Sequence, residues 1–175
     1  MTEPRLDHVQ CLDARGLHRM AYWEWGDPAN PRVLLCVHGL SRQGRDFDFF
    51  AQAMAGEYRV VCPDVVGRGR SDWLANPAGY GFPQYVADMM VLLARLDVES
   101  VDWFGTSMGG LITMTLALRH LNLIAAAVLI GLPALDGVVP RLEAGAKVAE
   151  ALVLFPRPQP PAKEEVANKT GTGEK

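Results

Sequence analysis

The sequence predicts an α/β fold on a mostly parallel sheet. Apolar runs of strand length recur between longer segments of helical period, which is the order that strand, helix, strand units produce. The inner runs are continuously apolar instead of alternating, as strands covered on both faces must be. Clusters of Gly, Pro, Asn and Asp punctuate the runs. With 175 residues, 49% of them hydrophobic, there is material for one core and therefore one domain.

In chain order, Val9 to Asp13 and Met20 to Trp25, joined through Gly16, read as an opening hairpin, and 27–31 (Asp-Pro-Ala-Asn-Pro) is turn chemistry. Val33 to Val37 and Tyr58 to Cys62 read as central strands. Between them, from Asp46 to Ala55, Phe47, Phe50, Ala51 and Met54 fall at i, i+3, i+4 and i+7, one apolar helical face. A Gly, Pro and Asn-rich loop runs from Asp64 to Gly81. The helical period resumes from Pro83 to Leu96, with Pro83 suited to a first turn. Ser100 to Phe104 is the next strand, Met108 to His120 the next helix and Ile124 to Ile130 a further strand. Arg141 to Phe155 reads as a last helix that Gly145 weakens by about 1 kcal/mol. Residues 156–175 hold four prolines and little to bury, and read as a disordered tail after an ordered part spanning 1–155.

A net charge of -3 with no run of Lys or Arg argues against nucleic acid as a partner. No stretch approaches the roughly 20 apolar residues that cross a bilayer, and the N-terminus lacks the apolar core of a secretory signal, so a cytoplasmic location is the default expectation. Cys36 and Cys62 lie within apolar strands, and all three cysteines read as reduced, with no metal site expected.

The chemistry centres on 105–109, Gly-Thr-Ser-Met-Gly, a G-x-S-x-G string between a predicted strand and a predicted helix. A turn sharp enough to lift the Ser107 hydroxyl above the sheet leaves no room for side chains at Gly105 and Gly109. It also aims the Met108 N–H at any negative charge developing beside Ser107. Directly after the strand Val33 to Val37 comes His38-Gly39-Leu40, where the Leu40 N–H can act as a second oxyanion donor. These two segments, with 64–72 (Asp-Val-Val-Gly-Arg-Gly-Arg-Ser-Asp) between them, resemble in order and spacing the signature segments of the α/β-hydrolases over residues 8–130. The sequence is similar to their esterase and carbon–carbon bond hydrolase branch.

The resemblance implies a three-layer α/β/α sandwich, a small acyl or ester substrate, no cofactor, and Ser107 as nucleophile. It also implies that Asp64 and the loop to Asp72 brace the site, and that His38 packs beneath the oxyanion loop. Dehalogenase and epoxide hydrolase relatives carry aspartate at the elbow, so the serine points to acyl chemistry. Trp73, Tyr80, Phe82 and Tyr85 read as core, with an acyl-pocket lining as the alternative.

A serine hydroxyl needs a base, and the family order is Ser, then Asp or Glu, then His. No histidine follows His120, which stands thirteen residues along the helix from Ser107, roughly 20 Å away. His8 and His18 read as exposed hairpin residues. Asp136 is the candidate acid. The expectation is a C-terminally incomplete hydrolase, inactive or crippled by itself. The alternatives are a non-catalytic ligand-binding module, or half of a split enzyme completed by a partner chain. An uncovered edge at Ile124 to Ile130 would favour self-association or docking of the missing half.

Overall fold

The computed structural model describes residues 3–130 and 151–154. Strands β1 (Arg5–Asp13) and β2 (Gly16–Trp25) form the antiparallel hairpin. Then follow β3 (Val33–Val37), α1 (Asp48–Met54), β4 (Arg59–Pro63), α2 (Phe82–Leu96), β5 (Val101–Thr106), α3 (Met108–His120), β6 (Ile124–Ile130) and β7 (Ala151–Leu154). The sheet order is β1-β2-β4-β3-β5-β6-β7. Its centre, β4-β3-β5-β6, is parallel, while β1, β2 and β7 pair antiparallel at the margins.

Alternate residues of the inner strands feed two cores, one on each face. Val33, Leu35, Val37, Val61 and Trp103 pack with Met89 and Leu92 of α2 and Ile112 and Leu116 of α3. Leu34, Cys36, Val60 and Cys62 pack on the other face with Ala51 of α1 and with Phe47 just before it. Helices thus cover both faces, which is why β3 and β4 are apolar throughout. From β3 the chain crosses to β4 on one side, and from β4 it returns to β5 on the other. The carboxyl ends of β3 and β5 therefore flank the point where strand order reverses, the usual ligand crevice of such sheets.

The helix boundaries have local causes. A 3-10 turn at Gly44–Phe47 precedes α1, so the helix begins two residues later than its apolar period suggests. The turn is tight because the Gly44 N–H donates to Asp64 Oδ1 at 2.6 Å, and a Cβ at Gly44 would stand 2.5 Å from the Cys62 carbonyl oxygen. Helix α2 carries Pro83 in its first turn and stops at Asp97, which adopts a left-handed φ of 54°. Helix α3 abuts the sheet through glycine. A Cβ at Gly109 would lie 2.0 Å from the Val37 carbonyl oxygen, and one at Gly105 2.8 Å from the Gly110 nitrogen.

Two expectations need correction. The last part of the segment expected to be helical, 151–154, is strand β7, paired with β6 from Ala127↔Leu154 to Ile130↔Ala151. An apolar Ala-Leu-Val-Leu run suits either state, and the free edge of β6 offers ladder hydrogen bonds that decide for strand. The edge therefore has a partner over four of its seven residues, and the sheet has seven strands, where about six were expected. Residues 141–150, Asp136 and the expected tail at 156–175 lie outside the described residues.

The second correction concerns His18, which is 4% exposed. Its Nε2 lies 3.1 Å from both carboxylate oxygens of Asp88. Gln84 donates to Asp88 Oδ1 at 2.7 Å and to the Leu12 carbonyl at 3.0 Å, so the group ties the hairpin to α2. Burial pushes the Asp88 carboxyl above its ordinary value and raises the neighbouring Cys11 thiol to about 12. All three cysteines are free and buried. His8 is half-buried on β1.

Replacing Asp88 by Ala strands the His18 nitrogen and should cost about 1–3 kcal/mol in urea unfolding. Asp88→Asn should cost less and carries a pH signature. Because the folded carboxyl titrates above its ordinary 3.8, its favourable contribution is complete below that value and is lost as pH rises through the raised one. The stability of the wild type relative to Asp88→Asn should accordingly fall with rising pH. A flat difference would show that burial leaves this carboxyl unperturbed. Gly105→Ala and Gly109→Ala should each lower stability by about 3 kcal/mol or more, because backbone faces the added methyl. Gly56→Ala, where a Cβ meets nothing within 4 Å, should stay within about 0.5 kcal/mol in the same thermal melts.

Candidate active site

The register of β3 against β5 sets Val37 beside Gly105, so the segments leaving these strands, His38-Gly39-Leu40 and Thr106-Ser107-Met108, emerge side by side. Ser107 takes a left-handed φ of 49°, one of two non-glycine positive values among the described residues. That conformation reverses the chain between β5 and α3 within one residue. The Ser107 N–H donates to the Ile130 carbonyl at 2.7 Å, fastening the turn to the end of β6, and the Ser107 carbonyl accepts from the Leu111 N–H at 3.1 Å as α3 begins. The side chain is exposed. Met108 opens the helix, where N–H groups have no intrahelical acceptor. A Cβ on Gly39 would stand 3.5 Å from Ser107 Cβ, so the loop carrying Leu40 lies against the serine. The Leu40 carbonyl accepts from Arg68 Nε at 3.0 Å.

His38 is fully buried. Its Nδ1 lies 2.7 Å from the Gly39 carbonyl oxygen, and its Nε2 accepts from the Val65 N–H at 2.9 Å. Burial lowers its pKa below the ordinary 6.5, which keeps the imidazole neutral at pH 7 and its Nε2 available as an acceptor. With both nitrogens engaged, His38 clamps the oxyanion loop and is not placed to take a proton from Ser107.

Asp64 is also fully buried, and its carboxylate accepts from the N–H groups of Gly44 and Arg70 at 2.6 and 2.8 Å and from Trp23 Nε1 at 3.2 Å. A Cβ at Gly69, whose φ is 52°, would fall 2.2 Å from this carboxylate. The Ser71 hydroxyl accepts from the Ala21 N–H at 2.8 Å, and the Asp72 carboxylate pairs with Arg19. The 64–72 loop is thus wound around one buried acid and anchored to β2.

Of the aromatic residues expected in the core, Tyr85 is buried and Tyr80 packs half-buried against the core, whereas Trp73 is 77% exposed and lies outside the core. Phe82 sits at the surface with its ring edge against Tyr85. Among the described residues, Cys11, His18 and Asp88 bring ligand-type atoms within 4.8 Å of one another. They offer three donors with the carboxylate already hydrogen-bonded, short of the four ligands that close a structural zinc site. A surface cleft between the hairpin, β4 and α2 is lined by Arg5, Glu24, Arg59 and Arg95 among others, with no serine, cysteine or histidine in its lining. No helix among the described residues is long and apolar enough to cross a membrane.

Comparison with known proteins places this geometry. The chain is 72% identical over 114 residues to a 3-hydroxybutyrate-oligomer hydrolase of Cupriavidus necator, a match covering 65% of this chain and 39% of that protein. It is 32% identical over 145 residues to the lipase LipV of Mycobacterium tuberculosis, covering 82% of this chain and 52% of the relative. A crystal structure of an α/β hydrolase from Novosphingobium aromaticivorans superposes with a TM-score of 0.67 at 40% identity, covering 76% of this chain and 46% of that one. The chain thus spans between two fifths and about half of the length of these relatives. The family model of the α/β hydrolase fold matches residues 32–164, and the chain belongs to that family.

Proposed function

We propose that this chain carries the nucleophile and the oxyanion donors of a serine hydrolase acting on esters of short hydroxy acids. The observation that carries the reading is the exposed Ser107 at φ 49°, set between glycines that admit no side chain and flanked by the Gly39-Leu40 loop. The relative's activity on 3-hydroxybutyrate oligomers supports the substrate class. In this reading the Ser107 Oγ bonds to the ester carbonyl carbon as its proton passes to a base, and the Met108 and Leu40 N–H groups hold the oxyanion. The alcohol leaves with a proton, and water then releases the acid from Ser107.

The base lies outside the four histidines of this sequence. His38 is engaged at both nitrogens, His18 is held by Asp88, His8 lies on the hairpin and His120 ends α3. That disposition favours completion by residues beyond this chain, either a continuation or a partner. Asp136 remains the candidate acid.

A fluorophosphonate should label Ser107, as read by intact mass, and labelling should disappear in Ser107→Ala. A protein that stays unlabelled even with imidazole added as an external base would favour the non-catalytic binding module. The 175-residue chain by itself should hydrolyse p-nitrophenyl esters little faster than Ser107→Ala, since donors and binding alone leave roughly 10³ to 10⁴ over water. Turnover near 10 s⁻¹, about the median for enzymes, that vanished in Ser107→Ala would place a competent base within the chain.

A further inference from the structure

The 64–72 loop braces the site, but Arg68 within it is committed only in part. Its Nε donates to the Leu40 carbonyl at 3.0 Å, and its Nη1 to the Val66 carbonyl at 2.8 Å and the Tyr85 hydroxyl at 3.2 Å. The remaining nitrogen, Nη2, reaches only the Met108 thioether, at 4.0 Å, a weak acceptor. The guanidinium is half-buried and lies 5.3 Å from the Tyr85 ring centroid and 5.9 Å from that of Tyr80. Among the described residues, six arginines form ion pairs with carboxylates and Arg68 does not; Arg15, Arg32, Arg70 and Arg119 also form none, but they are exposed where Arg68 is half-buried. A partly desolvated cation therefore stands without a carboxylate partner, with one N–H group free and another on a weak acceptor, beside both Leu40 and Met108.

We propose that Arg68 is the anchor for a carboxylate on the substrate, so that the site takes hydroxy-acid esters ending in a free acid in preference to neutral esters. The inference rests on the reading of Ser107 as nucleophile. In a hydroxy-acid oligomer the terminal carboxylate lies only a short chain of bonds from the last ester. An anion at Nη2 can thus sit beside Met108 while the ester carbonyl faces the Met108 and Leu40 amides. Binding supplies the counter-charge that the protein withholds, and the charge-assisted bond strengthens in a site shielded by Tyr80 and Tyr85. The guanidinium suits this role because its fork bonds the loop with some N–H groups and keeps others free, which a lysine cannot do.

The test uses two p-nitrophenyl alkylphosphonates, one ending in a carboxylate and the other in its methyl ester, with imidazole supplied as an external base and the rate of Ser107 adduct formation followed by mass on the full chain. The wild type should react about tenfold faster with the acid than with the ester, the size of one charge-assisted hydrogen bond, and added salt should narrow the gap. In Arg68→Gln the ratio of the two rates should fall to about one, whatever happens to both together, and Arg68→Lys should keep part of it. A wild type without preference, or a preference that survives in Arg68→Gln, would overturn the inference and leave Ser107 as nucleophile. A fall of both rates at constant ratio, with a lowered melting temperature, would make Arg68 a loop brace only. Labelling by neither probe, with imidazole present as an external base, would refute the nucleophile itself, and the inference with it.

Discussion

The N-terminus of α3 is pressed against the end of β3 so closely that a methyl group at position 109 would stand 2.0 Å from the Val37 carbonyl oxygen. Most of the site follows from that contact. A helix starting there, from a strand one position over, must reverse direction in a single residue, which forces Ser107 into the left-handed region at about 1–3 kcal/mol for a residue with a Cβ. The strain is held from two sides. The Ser107 N–H is fixed to Ile130 on β6, and Met108, Ile112 and Leu116 anchor α3 in the core, the aliphatic ones contributing about 1.5–3 kcal/mol each. The serine is thus presented by three strand ends and one helix, with its backbone unable to relax.

The opposite wall depends on a buried carboxylate. Asp64 is fully buried, and a buried carboxylate depends on the donors it accepts from. Those donors come from the turn before α1, from the 64–72 loop and from β2. One acid therefore fixes the relative positions of three segments that are distant in sequence. His38 completes the wall by bonding Val65 beneath and Gly39 above. Arg68 is delivered to the Leu40 carbonyl by the same loop, because Gly67 and Gly69 adopt positive φ values that bend it over Asp64.

The parts of this arrangement that were legible in the sequence are those determined by local chemistry. Gly105 and Gly109 flank Ser107 because close backbone packing excludes side chains, and Val33 to Val37 is continuously apolar because helices cover both its faces. What stayed hidden depends on partners far along the chain. His18 reads as a surface residue because nothing near it in sequence announces Asp88, 70 positions away on α2. Arg68 reads as part of a bracing loop, since its acceptors on Leu40 and Tyr85 come from separate elements. The 151–154 run has the composition of either helix or strand, and only the open edge of β6 selects strand. Trp73 errs the other way, an aromatic residue that the core does not recruit.

The same geometry limits where a base could stand. The β3 side of Ser107 is filled by Gly39 and by the loop carrying Leu40, and the imidazole beneath that loop has both nitrogens engaged. The helix side is closed by α3 itself, whose single histidine lies at its far end. At the end of β6 the Ile130 carbonyl holds the Ser107 amide. Since the histidines of this chain are committed elsewhere, the proposed chemistry separates into two physical tasks. The β3, β5 and α3 unit preorganises charge stabilisation around a strained serine, and taking the serine proton falls to a group other than these four histidines.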